Sequence, residues 1–489
     1  MLKLLNILLA AFFLISCSGS KELGKSEPIR KVKVTDIDIS NLPKELTVLS
    51  DPRSGVWSVS FYDLDSKETI FEYNKNKNLL PASNLKMVTI AAALKILGPE
   101  YRFATEFFIN GYIDRKLNLL KGNLLIKGTG DPTIGRDFFK TGTLNEFQPL
   151  IDSLRKSKGI DFIEGDLIVL TPFKQEEAYG KSWDIDDISS YYSAPISPLT
   201  LNENLTKIII NKGKVDIVPP YPFKIKLDTV PNLDKPEFNR LAGSDSLIIR
   251  SDFKKSISGF VTVHNPDLFF KRNLKDYMAR NKVIFMNKTV TVTDTAKYPV
   301  FTLYSDSLYK IINKCNSESN NLYAEQIFRK IAEVLSKDTT LTDSLENLKP
   351  DYNNLIKVNE DIYKRMFGID NFSVCDGSGL SRRDFFSADK FIKVLATMYD
   401  DEYFLPYISS FPQPGMEGTL ISKMTHIDLQ NRLFAKTGSM SGVNNISGYL
   451  LTKKNHRLAF SIMNNYYDFG RSRTNDIYED ILVYFVNNF

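Results

Sequence analysis

Histidine and cysteine are scarce in this chain of 489 residues, which contains three of each. No cysteine or histidine stands at the spacing of a zinc site, so neither a metal nor another cofactor is expected. His264, His426 and His456 also lie outside the motifs described below. Counting alone leaves a Ser-His-Asp arrangement open, but a serine nucleophile that uses a lysine base needs no histidine.

The chain also lacks a strong charge excess and a long apolar run. Its 63 Lys and Arg residues and 58 Asp and Glu residues give a formal net charge of +5 without a basic cluster, so no nucleic-acid partner is expected. The apolar run of residues 4–15 is too short for a stable membrane span. Hydrophobic residues make up 43% of the chain, which is enough for two or more cores.

The N-terminus indicates export. Residues 4–15 follow a short basic segment and end in Leu14-Ile15-Ser16-Cys17, which resembles the bacterial lipobox. This resemblance implies that 1–16 is a lipoprotein signal peptide, that Cys17 carries the lipid, and that 17–40 is a tether. The protein would then belong to the cell envelope, anchored to an inner or outer membrane and facing the periplasm or the exterior. The alternative is an ordinary signal peptide that contains a cysteine.

Three short motifs carry the chemistry, and the first places a serine and a lysine three residues apart. The apolar stretch 87–97 after Ser83-Asn84-Leu85-Lys86 predicts a buried helix that ends at Gly98-Pro99. Lys86 can then reach the Ser83 hydroxyl from the same helical face, near the free N–H groups of the first turn. A lysine acts as a base only when burial or a second cation lowers its pKa, and Lys436 is the expected second cation.

The second motif, Ser319-Asn320-Asn321, stands where a helix is predicted to begin. One interpretation is a helix cap and nothing more. The functional interpretation makes Ser319 a hydroxyl relay toward a leaving amine and Asn321 a donor that holds a substrate carbonyl.

The third motif, Lys436-Thr437-Gly438-Ser439, lies in a predicted strand followed by strands at 446–451 and 458–463 and a helix at 476–486. This pattern predicts an antiparallel meander. An edge strand with this motif could pair with an extended peptide, and Gly438 would let a substrate backbone approach closely. The Ser83 and Ser439 amides would form an oxyanion hole.

The combination of S-x-x-K, S-x-N and K-T-G is typical of penicillin-binding proteins and class A β-lactamases. The chain resembles, more narrowly, the class C low-molecular-mass penicillin-binding proteins, the D-alanyl-D-alanine carboxypeptidase/D,D-endopeptidase family. Further stretches that carry this resemblance, which runs from about residue 50 to the C-terminus, are Gly122-Asn123-Leu124 through Gly130-Asp131-Pro132-Thr133, Tyr192-Ser193-Ala194-Pro195, Asp376-Gly377-Ser378-Gly379-Leu380-Ser381-Arg382, and Gly415-Met416-Glu417-Gly418-Thr419-Leu420.

The family resemblance implies an α/β (α+β) fold. Its main part would be a penicillin-binding-protein or serine β-lactamase-like transpeptidase domain, an antiparallel sheet with helices, interrupted by a large β-rich insertion. We expect the peptidase domain at 41–105 and 297–489, and the insertion at 106–296 with a nested β subdomain at about 200–260. The long interval between the first two motifs, filled with short β runs, agrees with an insertion that a β-lactamase has no place for.

The resemblance implies a serine-type D-Ala-D-Ala carboxypeptidase, a D,D-endopeptidase, or both. Its partners would be peptidoglycan stem peptides and, as covalent inhibitors, β-lactam antibiotics. Ser83 would be the nucleophile and Lys86 the base, while Lys436 and Thr437 would bind the terminal carboxylate. The alternatives are a β-lactamase or esterase on the same fold, or a non-catalytic wall-binding lipoprotein. Intact motif residues argue against the last alternative.

Two further expectations concern selectivity and the mature cysteines. In the family, residues of the insertion read the diamino acid of the stem peptide, which makes Asp187 and Tyr192 candidates, with Arg382 opposite. The alternative is that Asp187 belongs to a solvated acidic turn and Arg382 to the surface; Ser441, where family members have a glutamine, is a departure. Cys315 and Cys375 could pair in an exported protein, but two buried free thiols are favoured.

Overall fold

The computed structural model describes residues 43–171, 174, 177–291, 298–336, 352–468 and 470–489. The predicted signal peptide, Cys17 and the tether lie outside the described residues. The chain divides into two compact units, of which the first contains residues up to 101, 180–182 and 308–489, and the second contains 102–179 and 183–307. Within the described residues, no helix has the length and apolar character needed to cross a bilayer.

A five-stranded antiparallel sheet forms the centre of the first unit. Its strands, in spatial order, are Leu433–Met440, Val443–Leu451, Arg457–Asn465, Val56–Asp63 and Glu68–Tyr73. The predicted meander and the edge position of the K-T-G strand are confirmed. The two N-terminal strands were not predicted to join it, because their place depends on long-range pairs such as Phe61 with Phe460.

Seven helices of the first unit accompany this sheet in the described part of the chain. They are Leu85–Leu97, Leu308–Ser317, Asn321–Leu335, Tyr352–Phe367, Ala388–Tyr399, Phe404–Ser409 and Arg471–Asn488. We call Leu85–Leu97 the nucleophile helix, after the expected nucleophile Ser83 that precedes it. Residues 85–94 are all buried, so it is a central helix rather than an amphipathic one. It ends at Gly98, as predicted, where φ is +76°.

The second unit contains the inserted residues and is built mainly of strands. The strands of its largest sheet are Ile284–Phe285, Phe162–Ile163, Leu119–Lys127, Ala104–Asp114 and Phe301–Tyr304, with Leu167–Val169 paired beside Leu119–Lys127. Its described helices are Phe138–Thr141, Gln148–Asp152 and Pro266–Arg280. Phe107, Phe147 and Phe270 belong to the apolar core of this unit.

Two small sheets form a nested β region within the second unit. One contains Leu205–Asn211, Lys214–Val218 and Ile257–Thr262, and the other contains Lys224–Thr229, Glu237–Arg240 and Ser246–Ser251. Ile208, Leu247 and Val261 belong to a core cluster that draws on both sheets.

The boundaries of the units differ from those expected. The first unit ends at 101 instead of 105 and resumes at 308 instead of 297. The physical reason is that Phe301–Tyr304 pairs with Ala104–Asp114, with Phe301 opposite Phe107, so both strands belong to the sheet of the insertion. Residues 180–182 belong to the first unit, where the Lys181 carbonyl accepts a hydrogen bond from Ser381 Oγ.

Candidate active site

The Ser83 side chain stands at the entry to the nucleophile helix. A 3₁₀ turn, Ala82–Asn84, leads directly into Leu85, and Ala82 has a φ of +46°, a conformation that a residue with a side chain adopts only at a cost. The Lys86 amine Nζ lies 2.9 Å from Ser83 Oγ. The contact expected from the three-residue spacing is therefore present.

Lys86 is fully buried and has three acceptors around its amine. Besides Ser83 Oγ, these are Asn321 Oδ1 at 2.6 Å and the carbonyl oxygen of Ser378 at 2.8 Å. Burial lowers the pKa of Lys86 to about 8, because the charged form loses its hydration. A substantial share of the amine is thus neutral near physiological pH, as a general base requires.

The second motif forms the turn between helices Leu308–Ser317 and Asn321–Leu335. Ser319 has a φ of +57°, and Asn320 caps the second helix by accepting a hydrogen bond from the Tyr323 N–H at 3.1 Å. The helix cap that was one interpretation of this motif is thus present at Asn320. Asn321 is buried in the first helical position and contacts Lys86, so the motif has a cap and a site residue side by side.

Lys436 binds the second motif. Its Nζ donates to Ser319 Oγ at 2.9 Å and to the Thr437 carbonyl at 2.8 Å, and its side chain is fully buried. Lys436 was expected to lower the pKa of Lys86 as a second cation, but it is not among the main causes of that shift. Burial is the main cause of the lowered pKa of Lys86, whereas the charge of Lys86 adds to the burial that lowers the pKa of Lys436 well below its usual value.

Gly438 allows the K-T-G strand to lie against the nucleophile turn. A Cβ at this position would stand 2.7 Å from the Asn84 nitrogen and 2.8 Å from the Pro81 carbonyl oxygen. This contact is a structural reason for the glycine besides the predicted approach of a substrate. Ser439, the next residue, is exposed on the edge strand.

Thr437 contacts a residue that the sequence did not single out as part of the site. Its Oγ1 donates to Thr419 Oγ1 at 3.0 Å. Thr419 follows Gly418, where φ is +79° and a Cβ would come within 2.4 Å of the Ser317 carbonyl oxygen. Thr419 is thereby packed between the second and third motifs. Ser378, whose carbonyl contacts Lys86, is a further site residue that the motifs did not predict, because its backbone and not its side chain makes the contact.

The three residues proposed to read the stem peptide lie in different units. In the second unit, Tyr192 Oη donates to Asp187 Oδ1 at 2.6 Å, and Asp187 ends a 3₁₀ turn capped by Asp184. Burial and this bond raise the pKa of Tyr192. In the first unit, Arg382 is exposed and its Nη1 donates to the Ser441 carbonyl at 3.1 Å.

Cys315, Cys375 and His456 make contacts that do not involve the Ser83 hydroxyl. Cys315 and Cys375 are buried free thiols, which confirms the favoured interpretation. Burial raises the pKa of Cys315 to about 12, so this thiol remains protonated beside Lys86. His456 Nδ1 lies 2.9 Å from Asp63 Oδ2, whereas the hydrogen-bond partner of Ser83 Oγ is Lys86.

An antiparallel sheet with this serine–lysine centre and a long insertion between its motifs defines a serine hydrolase of the penicillin-binding-protein class. Residues 45–484 match the D-Ala-D-Ala carboxypeptidase 3 (S13) family. The chain belongs to this family, which confirms the resemblance found in the sequence, and it is a serine-type carboxypeptidase of peptidoglycan.

Similar proteins come from several organisms. The chain is 23% identical to D-alanyl-D-alanine carboxypeptidase DacB of Haemophilus influenzae over 460 residues, which cover 89% of each protein. It is 25% identical to D-alanyl-D-alanine carboxypeptidase of an Actinomadura species over 452 residues, 86% of this chain and 79% of that one.

The crystal structure of penicillin binding protein 4 (dacB) from Haemophilus influenzae has a TM-score of 0.73 and 22% identity, and the match covers 92% of this chain and 99% of that one. A second crystal structure of that protein is a complex with a β-lactam, with a TM-score of 0.68 and the same identity and coverage. These likenesses confirm the fold class.

Proposed function

We propose that Ser83 is the acylated nucleophile of a D-Ala-D-Ala carboxypeptidase that also acts as a D,D-endopeptidase on cross-linked stem peptides. The observation that carries this proposal is the environment of the Lys86 amine, which is fully buried and surrounded by Ser83 Oγ, Asn321 Oδ1 and the Ser378 carbonyl. A neutral amine has two N–H donors and one lone pair. With the donors directed to Asn321 and Ser378, the lone pair faces the Ser83 hydroxyl.

Acylation follows from this geometry. Ser83 Oγ forms a bond to the carbonyl carbon of the D-Ala-D-Xaa peptide while its proton passes to Lys86. The Ser83 and Ser439 amides are proposed to stabilise the negative charge on the carbonyl oxygen. The C–N bond then breaks, and the proton that Lys86 accepted passes through the Ser319 hydroxyl to the departing amine. Water next attacks the ester carbonyl and gives a proton to the neutral Lys86. The C–Oγ bond breaks, the peptide leaves with a new carboxyl group, and Ser83 Oγ regains its proton from Lys86.

The third motif is proposed to recognise the end of the substrate. Lys436 and Thr437 would bind the terminal carboxylate, and the K-T-G strand, which is an edge strand, can add an extended peptide to the sheet. Lys436 donates to Ser319, which supports a second role in orienting the proton relay. A β-lactam, which resembles the D-Ala-D-Ala end, would acylate Ser83.

Two finer features also belong to this proposal. The Asp187–Tyr192 pair and Arg382 would read the ammonium and the carboxylate of the stem peptide's diamino acid. Cys17 would be lipidated, which would hold the enzyme at a membrane of the cell envelope with its site on the periplasmic or outer side.

Two measurements on the purified protein test the proposal. Mass analysis after incubation with penicillin should locate a covalent adduct on the peptide that contains Ser83, and Ser83→Ala should form none. Digestion of monomeric and cross-linked muropeptides should release terminal D-Ala and separate the cross-linked peptides. An adduct on another residue would refute the assignment of the nucleophile, and rapid release of hydrolysed penicillin would favour a β-lactamase instead.

A further inference from the structure

A buried carboxyl group lies beneath the loop that supplies the Ser378 carbonyl. Glu325 is fully buried and stands four residues after Asn321, one turn further along the same face of its helix. Its Oε1 accepts hydrogen bonds from the Gly377 and Ser378 N–H groups, each at 2.9 Å. Two successive peptide groups of the loop are thereby attached to the helix that carries the second motif.

A second buried carboxyl group within the loop sets the direction of the carbonyl. Asp376 Oδ1 accepts from the Gly379 N–H at 2.6 Å and from the Ser378 N–H at 3.0 Å, while Oδ2 accepts from the Ser381 N–H at 2.7 Å. The Gly379 N–H and the Ser378 carbonyl belong to one planar peptide group and point in opposite directions. Holding the N–H on Asp376 therefore directs the carbonyl oxygen toward Lys86.

Close packing keeps the loop in this position. A Cβ at Gly377 would lie 2.4 Å from Phe328 Cβ, and a Cβ at Gly379 would lie 1.8 Å from the Ala82 carbonyl oxygen. On the side of the nucleophile helix, Thr89 Oγ1 donates to the Gly377 carbonyl at 2.8 Å. The loop is thus fixed between the helices of the first two motifs and has little freedom to change its shape.

We propose that Glu325 and Asp376 are positioning residues for the catalytic base: they hold the Ser378 carbonyl where it takes one Lys86 N–H, so that the amine's lone pair faces Ser83. The inference rests on the proposed role of Lys86 as the base and identifies the residues that orient its amine. Burial and the neighbouring Asp376 raise the pKa of Glu325 to about 8, so its neutral form is well populated near neutral pH. Only Oε1 accepts these bonds, so an amide in the same place can replace the carboxyl group.

Substitutions that separate geometry from charge test the proposal, with the rate constant and the dissociation constant for acylation by a chromogenic β-lactam as readouts. Glu325→Gln keeps the acceptor oxygen and should acylate within about threefold of wild type. Glu325→Ala should lower the acylation rate constant by about 10²-fold without weakening the non-covalent complex, since misdirected groups can cost that much. Asp376→Asn should lower the acylation rate constant similarly, because both oxygens of Asp376 accept hydrogen bonds from N–H groups and an amide has only one oxygen.

Gln326→Ala is the matched control, because Gln326 is the next residue on the same helix and is also buried. It should acylate within about threefold of wild type, because the Gly377 and Ser378 N–H groups keep their acceptor, Glu325 Oε1. Thermal unfolding of each variant shows whether it is folded. If Glu325→Ala does not fold, Glu325→Asp provides the test, since a carboxyl group one methylene shorter cannot reach both N–H groups and should show the same loss.

The inference would be overturned if folded Glu325→Ala or Glu325→Asp acylated at the wild-type rate. It would also be overturned if the acylation rate constant of Glu325→Gln fell as far as that of Glu325→Ala. The proposed function fails separately, if the wild-type protein itself forms no adduct on Ser83.

Discussion

Lys436 Nζ donates a hydrogen bond to Ser319 Oγ over 2.9 Å and so joins two motifs that stand 117 residues apart in the chain. Lys86 is linked to Ser83 and to Asn321 in the same way. Lys86 thus lies beside the proposed nucleophile, and Lys436 lies beside the proposed relay. Both are fully buried, which lowers the pKa of each and makes their proton affinities sensitive to what occupies the site.

The first prediction concerns the catalytic pair. Lys86→Met should reduce acylation by penicillin roughly 10²- to 10⁴-fold, the usual contribution of a general base, while the protein stays folded. Because nucleophile and base act as a unit, Ser83→Ala and the double variant should reach a similar floor. Stopped-flow acylation and thermal unfolding are the measurements. Losses that multiply in the double variant would contradict the pairing.

The pH dependence of acylation follows from the lowered pKa of Lys86. Since the neutral amine is the active form, the rate should rise with pH through about 8 and reach a plateau above it. Two pH units below that midpoint, the rate should be roughly one hundredth of the plateau. Circular dichroism across the range controls for unfolding. A midpoint near the ordinary value of lysine would mean that the free enzyme does not hold Lys86 in this buried state.

Gly379 should be intolerant of a side chain. Gly379→Ala places a Cβ 1.8 Å from the Ala82 carbonyl oxygen, in the turn that carries Ser83. The matched control is Gly98→Ala, because Gly98 has a similar φ of +76° but nothing within 4 Å of its Cβ. Gly98→Ala should cost about 1–3 kcal/mol of unfolding free energy, and Gly379→Ala should cost more and also slow acylation. Denaturant unfolding measures the two losses of unfolding free energy, and acylation by penicillin is measured separately. Equal losses for the two variants would show that the loop can move to accommodate a Cβ at residue 379.

Recognition of the stem peptide is tested at Asp187. Asp187→Ala should raise KM for peptides that contain diaminopimelate while leaving penicillin acylation nearly unchanged, since penicillin lacks that side chain. Asp186→Ala is the control, because Asp186 lies in the same turn and is exposed. Steady-state hydrolysis of the peptide and the rate of acylation by penicillin are the two measurements. Equal effects of Asp187→Ala on both, or on neither, would mean that Asp187 does not read the peptide.

The membrane anchor is tested at Cys17. Cys17→Ala should move the protein from the membrane fraction to the soluble exported fraction, because the lipid has no other attachment point in the proposal. Ser20→Ala, a neighbouring change in the tether, should leave the protein at the membrane. Fractionation with immunodetection gives the answer, and an unchanged distribution of Cys17→Ala would place the anchor elsewhere.

Much of the site could be predicted because its chemistry follows short-range rules. Two residues three apart in a helical turn lie on one side of it, so the spacing predicted the contact of Lys86 with Ser83, although Ser83 stands in the 3₁₀ turn before the helix. Alternating and apolar patterns similarly predicted the meander that carries Lys436, and a glycine marked the end of the nucleophile helix. The motif order then led to the family.

The tertiary structure alone decided what surrounds the base. The bond from Lys86 to the Ser378 carbonyl spans 292 residues, and its acceptor is a backbone atom that every residue type has. The stretch 376–382 carries the family resemblance, but its residue types do not indicate that this carbonyl contacts the base. Burial, which lowers the pKa of Lys86, is likewise a property of the packed fold and not of a motif. The boundary at 308 instead of 297 could not be predicted either, because it depends on the distant strand with which Phe301–Tyr304 pairs. By itself, the sequence determined the serine, lysine and asparagine side chains of the three motifs. Long-range packing decided how these side chains are oriented and charged, and which other groups complete the site.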